Sequence, residues 1–155
     1  METIDQTIDA FRAVVAQADV DASAVSQWNV GTHIHHCCLA MIGISKGLAK
    51  STPPAPRTRP SIARYCAFAV ERFPRGQAKS PSFAVPREPV SAQGLTALLD
   101  EAQKKVVDAR ALDADRWVTH PIFGPLRRDD ALKFVRIHNR HHLRIVADIL
   151  RRARS

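Results

Sequence analysis

Seven histidines stand out as the residues of this 155-residue chain most able to do chemistry, and six of them fall in two clusters. His33, His35 and His36 form the first; His138, His141 and His142 form the second. Imidazole binds divalent transition metals in its neutral form and carries protons near neutral pH. His138 and His142 stand four residues apart, so on a helix their rings leave the same face one turn above each other, close enough to share one divalent ion. A metal held there needs a third protein ligand, which in helical bundles comes from a facing helix. No H-E-x-x-H segment places a glutamate base beside the ligands, and no glycine-rich phosphate loop is present. The seventh histidine, His120, lies in a loop with Pro121, Phe123 and Gly124, where a turn or packing role competes with a catalytic one.

These side chains need helices to position them, and the apolar spacing supplies helices. Ile4, Ile8, Phe11, Val15 and Ala18 recur in fours and threes, predicting an amphipathic helix over residues 2–18. Val30, Ile34, Cys37, Met41, Ile44 and Leu48 do the same over residues 29–49. Eight of the ten prolines lie between Pro53 and Pro89, which makes that stretch a crossover rather than core. Within it, Ser61 to Phe73 is read as a shorter helix and Phe73 to Pro89 as an ordered surface loop. A further helix is expected over Ser91 to Leu112, with Leu95, Leu98, Leu99, Ala102, Val106 and Ala109 inward. The last is expected over Arg128 to Arg152, on a seam of Leu132, Val135, Asn139, His142, Val146 and Ile149. Its first turn carries Asp129 and Asp130 and its end carries arginines, both favourable to the helix dipole. No segment alternates with the period of a strand. The expectation is therefore an all-α single domain over residues 1–155, a four-helix bundle with a long proline-rich crossover between the second and third long helices.

Helical geometry leaves the third ligand open. At 100° per residue His33 lies about 65° and His36 about 125° from the centre of the apolar seam. Periodicity favours His33. His36, however, heads a stripe of Ala40, Gly43 and Gly47. Two glycines inside a helix each cost on the order of 1 kcal/mol, so that stripe marks a close approach by a neighbouring helix or a pocket. His35 and His141 are read as facing outward or standing behind the ligands.

Composition narrows the function classes. The chain is 45% hydrophobic and 25% charged, which excludes a disordered or collagen-like protein. No stretch approaches the roughly 18 uncharged apolar residues of a membrane helix, and METIDQTIDAF lacks the order of a signal peptide, so a cytoplasmic location is expected. Cys37, Cys38 and Cys66 show neither disulfide nor C-x-x-C spacing and are read as small buried hydrophobes. Of the net charge of +8, residues 127–155 carry nine Arg or Lys against three Asp. A basic helix of this kind is usually a solvated face. Nucleic-acid binding is a minor reading, because no recognition motif is present and no aromatic residue follows Phe134. Arg64, Arg140 and Arg144 are candidates for attracting an anionic substrate.

Taken in order, Trp28 followed eight residues later by His36 (WNVGTHIHHC), the proline-rich crossover, Thr119 to Gly124 (THPIFG) and His138 to Leu143 (HNRHHL) resemble the DinB-like superfamily of metal-binding four-helix bundles. In particular they resemble a bacterial branch with an HPxFG loop before the last helix. The resemblance spans nearly the whole chain. It implies that His36, His138 and His142 bind a divalent metal, zinc or nickel; His33, His141 and His120 are this sequence's own candidates to stand behind them. It also implies one of the activities of that superfamily, transfer of a small thiol to an electrophile, thiol-dependent isomerisation or hydrolysis, acting on a small molecule. Three imidazoles leave a coordination position open, where a water or thiol becomes a nucleophile near neutral pH. The competing expectation is a metal-stabilised binding or sensing protein without turnover, a homodimer through a bundle face. Two features depart from the resemblance: Arg127 stands where a Ser or Thr helix cap is usual, and His33 and His35 are extra histidines.

Overall fold

Thr3 starts the first helix by a reciprocal cap: its hydroxyl accepts from the Gln6 N–H at 3.2 Å, while its own N–H donates to the Gln6 side chain at 2.8 Å. The resulting helix α1 spans Ile4–Arg12. Asn29 caps α2 (Val30–Lys50), Ser61 caps α3 (Ile62–Val70) and Ser91 caps α4 (Ala92–Arg110), each through a side-chain oxygen that accepts a backbone N–H. The last helix, α5 (Arg128–Ala153), begins at Arg127 without a side-chain cap, and Asp129 and Asp130 alone complement its dipole. The computed structural model describes residues 2–57, 61–73 and 84–155. Part of the surface loop expected over Phe73 to Pro89, residues 74–83, lies outside them.

Among the described residues the chain is mostly helical, with five α-helices and one two-stranded sheet. The core is shared by α1, α2, α4 and α5: Ile8, Phe11, Ile34, Met41, Leu95, Leu99, Val106 and Ile149 lose essentially all their exposure. On α5, Asn139 is buried beside them and donates to the Thr7 hydroxyl of α1 at 2.9 Å, a polar tie between two core helices.

Two expectations are corrected. The helix expected over residues 2–18 ends at Arg12, and a 3-10 turn at Val15–Gln17 follows it. Val15 and Ala18 are buried all the same, because a three-residue turn keeps them on one face. The second correction is a strand pair where no strand was expected: β1 (Trp117–His120) and β2 (Gly124–Arg127) form an antiparallel hairpin. Four-residue strands are too short to show a period, and the signal lies in the turn instead. Pro121 follows the first strand, and Gly124, the first residue of the second, takes the left-handed conformation at φ +69° that glycine adopts without strain.

The hairpin explains one glycine of the α2 stripe. A Cβ built on Gly47 would stand 2.7 Å from Val118 Cγ2, so glycine is what lets β1 lie against α2. Val118 pairs with Leu126, and Leu126 is fully buried, so the inner face of the hairpin belongs to the core. The Arg64 side chain of α3 donates to the Pro125 carbonyl at 3.1 Å and pairs with Asp130, pinning α3 to the hairpin and to the start of α5.

Candidate metal centre

The Asn29 cap fixes the start of α2, and with it the placing of His33 and His36 one and two turns in. Both are buried. Opposite them, α5 presents His138 and His142 from consecutive turns. One ring nitrogen from each of His36, His138 and His142 lies within 4.8 Å of the others, a grouping that could hold a metal ion.

The hydrogen bonds around these rings set their protons. His36 Nδ1 stands 2.6 Å from the Ala84 carbonyl oxygen, which can only accept, so the His36 proton is on Nδ1 and Nε2 presents a lone pair. That lone pair faces His138 Nε2 at 3.0 Å. A backbone carbonyl fixing the far nitrogen of an imidazole is the usual support of a metal-binding histidine. His142 Nδ1 lies 2.9 Å from His33 Nδ1, leaving Nε2 as its remaining nitrogen, and His33 Nε2 lies 3.0 Å from the Ser26 hydroxyl. Trp28 covers this group, its ring centroid 5.4 Å from that of His33 and 5.2 Å from that of His36.

Electrostatics favour neutral rings. Burial pushes His138 and His142 well below the ordinary histidine range, and each neighbouring imidazole pushes in the same direction. Burial also lowers His36; its bond to Ala84 opposes the shift in part. Neutral imidazoles with converging lone pairs are the form that binds a divalent ion. The residues present therefore fit a metal.

Residues 3–149 match the family described as "Protein of unknown function (DUF1569)". The chain belongs to the DUF1569 family. No curated protein and no solved structure matches it. The centre of this DUF1569 chain thus rests on its own geometry.

The remaining histidines take separate places. His33 hydrogen-bonds His142, and His141 packs edge-on against it with ring centroids 5.1 Å apart. His120 touches none of the three hydrogen-bonding nitrogens: its Nδ1 accepts the backbone N–H groups of Ile122 and Phe123 at 3.2 and 3.3 Å. His35 is partly buried, which lowers its pKa. The arginines expected to attract substrate are engaged within the chain. Arg140 pairs with Glu2 and Glu71, Arg64 with Asp130, and Arg144 is also in contact. Glu71 additionally holds Arg136, and these guanidinium groups keep its carboxyl below the usual range. Of the three cysteines, Cys37 and Cys38 are buried as expected, and burial raises the Cys38 thiol to about 12. Cys66 is exposed, against expectation, because α3 buries only Ala67 and leaves most of its surface to solvent. No helix among the described residues is long and apolar enough to cross a membrane.

Ala84, Ser26 and the Phe134 ring beside His138 escape a reading of the sequence. A backbone carbonyl has no signature in residue type, and Ser26 reaches His33 only because the chain doubles back through the Ala22 to Ser26 bridge before α2.

Proposed function

We propose that this chain is a metal-dependent enzyme of the DinB-like kind, a four-helix bundle built from α1, α2, α4 and α5. In this reading His36, His138 and His142 hold one divalent ion, zinc or nickel, and the substrate is a small molecule undergoing thiol transfer or hydrolysis. The observation that carries it is the pair of facing nitrogens: His36 Nε2, stripped of its proton by the Ala84 bond, points at His138 Nε2 from 3.0 Å. A proton on His138 Nε2 or a shared cation makes that approach favourable, and the ring nitrogen of His142 within 4.8 Å of both favours the cation.

A divalent ion with three imidazole ligands supplies Lewis-acid chemistry and makes a nucleophile of a water or thiol near neutral pH. The protein's own contribution is orientation and shelter. Ala84 and His33 fix the rings of His36 and His142, and Trp28 shields them from water on one side.

Elemental analysis of the untagged protein after dialysis tests the reading, beside His36→Ala and His33→Ala variants. About one transition metal per chain, lost with His36 and kept with His33, is expected. A folded, metal-free protein overturns it. A metal-stabilised binding protein is the second reading, favoured by the engagement of Arg64 and Arg140 in ion pairs within the chain. Metal-loaded protein that turns over neither thiol–electrophile pairs nor ester and amide panels would select it.

A further inference from the structure

His120 occupies the first position of the hairpin turn, and the turn decides its chemistry. Its Nδ1 accepts two backbone N–H groups, from Ile122 at 3.2 Å and Phe123 at 3.3 Å. The lone pair on Nδ1 is spent on them, so the ring proton sits on Nε2. The plane of the ring is held as well. It stacks on Phe123 at 4.6 Å between centroids, with an interplanar angle of 16°, and leans on Phe134 at 4.5 Å. Phe134 in turn packs against His138 at 5.4 Å, which places His120 one ring away from the three-histidine group.

Among the described residues His120 Nε2 has no hydrogen-bond partner, and the side chain is only partly buried. The sequence offered a turn role, a catalytic role or a place behind the ligands. The geometry points to a fourth. We propose that His120 is a built-in hydrogen-bond donor whose Nε2–H orients a carbonyl or carboxylate oxygen of a ligand at the three-histidine centre.

Protonating His120 would put a second N–H against two backbone donors, and burial already lowers the ring to about 4. At neutral pH it is therefore a donor that does not titrate, an electrophilic imidazole rather than a base. The ligand class follows from what such a group can recognise. A neutral N–H prefers an oxygen acceptor, and a chain of net charge +8 draws anions.

The proposal rests on the metal reading only for where the ligand lies, and its test separates the two. The first measurement is the 15N spectrum of His120 in the metal-free protein between pH 5 and 8. An unprotonated Nδ1 and a protonated Nε2 throughout are expected, and an Nδ1–H tautomer overturns the proposal. The second is titration of cobalt-loaded protein with acetate, followed by the visible cobalt spectrum, for the natural chain, His120→Phe and His120→Gln. Removing one hydrogen bond to a charged oxygen should weaken acetate about tenfold in His120→Phe with cobalt still bound, and the amide of His120→Gln should recover part of the loss. Equal acetate affinity in all three overturns the proposal, as does loss of cobalt from the well-folded His120→Phe chain, which would make His120 a support of the ligands. If the natural chain takes up no cobalt, the metal reading falls. Acetate is then titrated against the His120 Nε2–H resonance, where a saturable shift supports the donor role and a constant resonance ends it.

Discussion

His33 Nδ1 lies 2.9 Å from His142 Nδ1, and the far nitrogen of His33 lies 3.0 Å from the Ser26 hydroxyl. Metal binding would give the two contacts a direction. With the His142 Nε2 lone pair on a metal, His142 would carry its proton on Nδ1 and donate to His33, which would carry its own on Nε2 and donate to Ser26. The Trp28 backbone N–H also donates to that hydroxyl at 3.1 Å, so the residue that covers the centre and the chain that orients it meet at one oxygen.

Replacing His33 with Asn should therefore weaken metal binding by about 10- to 100-fold without changing its stoichiometry. Competition against a chromophoric chelator measures it. Unchanged affinity would mean that His142 needs no support, and loss of stoichiometric binding would make His33 a ligand.

His138→Ala and His142→Ala should each abolish stoichiometric metal binding, while His141→Ala should not. The first two offer nitrogens within 4.8 Å of His36, whereas His141 packs on the outside of His142. Equal loss in all three variants would place the centre on the wrong side of α5.

Acid should destabilise the metal-free protein. Burial holds His138 and His142 well below 6.5 and lowers His120 to about 4, while the same groups in the unfolded chain titrate near 6.5. Below that pH the unfolded chain binds more protons than the folded one, so stability falls as pH falls. Urea unfolding should show a plateau above about pH 6.5 and a steady loss toward pH 4. Glu71, lowered chiefly by its bond to Arg136, adds a loss of the same sign only below its ordinary 4.5. Greater stability at pH 5 than at pH 7 would contradict buried neutral histidines.

Gly47→Ala should cost about 1–3 kcal/mol, since the added methyl would stand 2.7 Å from Val118 Cγ2 and the hairpin must shift. Chemical denaturation measures the loss, and Val118→Ala in the same chain should return part of it. An additive double variant would show that the two positions do not meet.

The helices and their inward faces were legible in the sequence because burial repeats with the helical period. Val30, Ile34, Cys37, Met41, Ile44 and Leu48 are all buried, and so are Val135, Asn139, Val146 and Ile149 of the last helix. Where that period was read too far, as in the helix expected to run to residue 18, Val15 and Ala18 still found the core through a tighter turn. The pairing of His138 with His142 was legible for the same reason, a spacing of four on one helix.

The choice between His33 and His36 was not legible, because both are buried and their angles to the seam measure distance from the core, not from α5. Tertiary structure separated them by partners: His36 meets His138 and the Ala84 carbonyl, while His33 meets His142 and Ser26. The hairpin and the tautomer of His120 likewise depend on backbone groups brought together by folding. Residue order determined which faces are apolar and which residues can bind a metal. Only the packed chain decided which nitrogen atoms face one another, because that depends on carbonyl and N–H groups that every residue carries and no residue type announces.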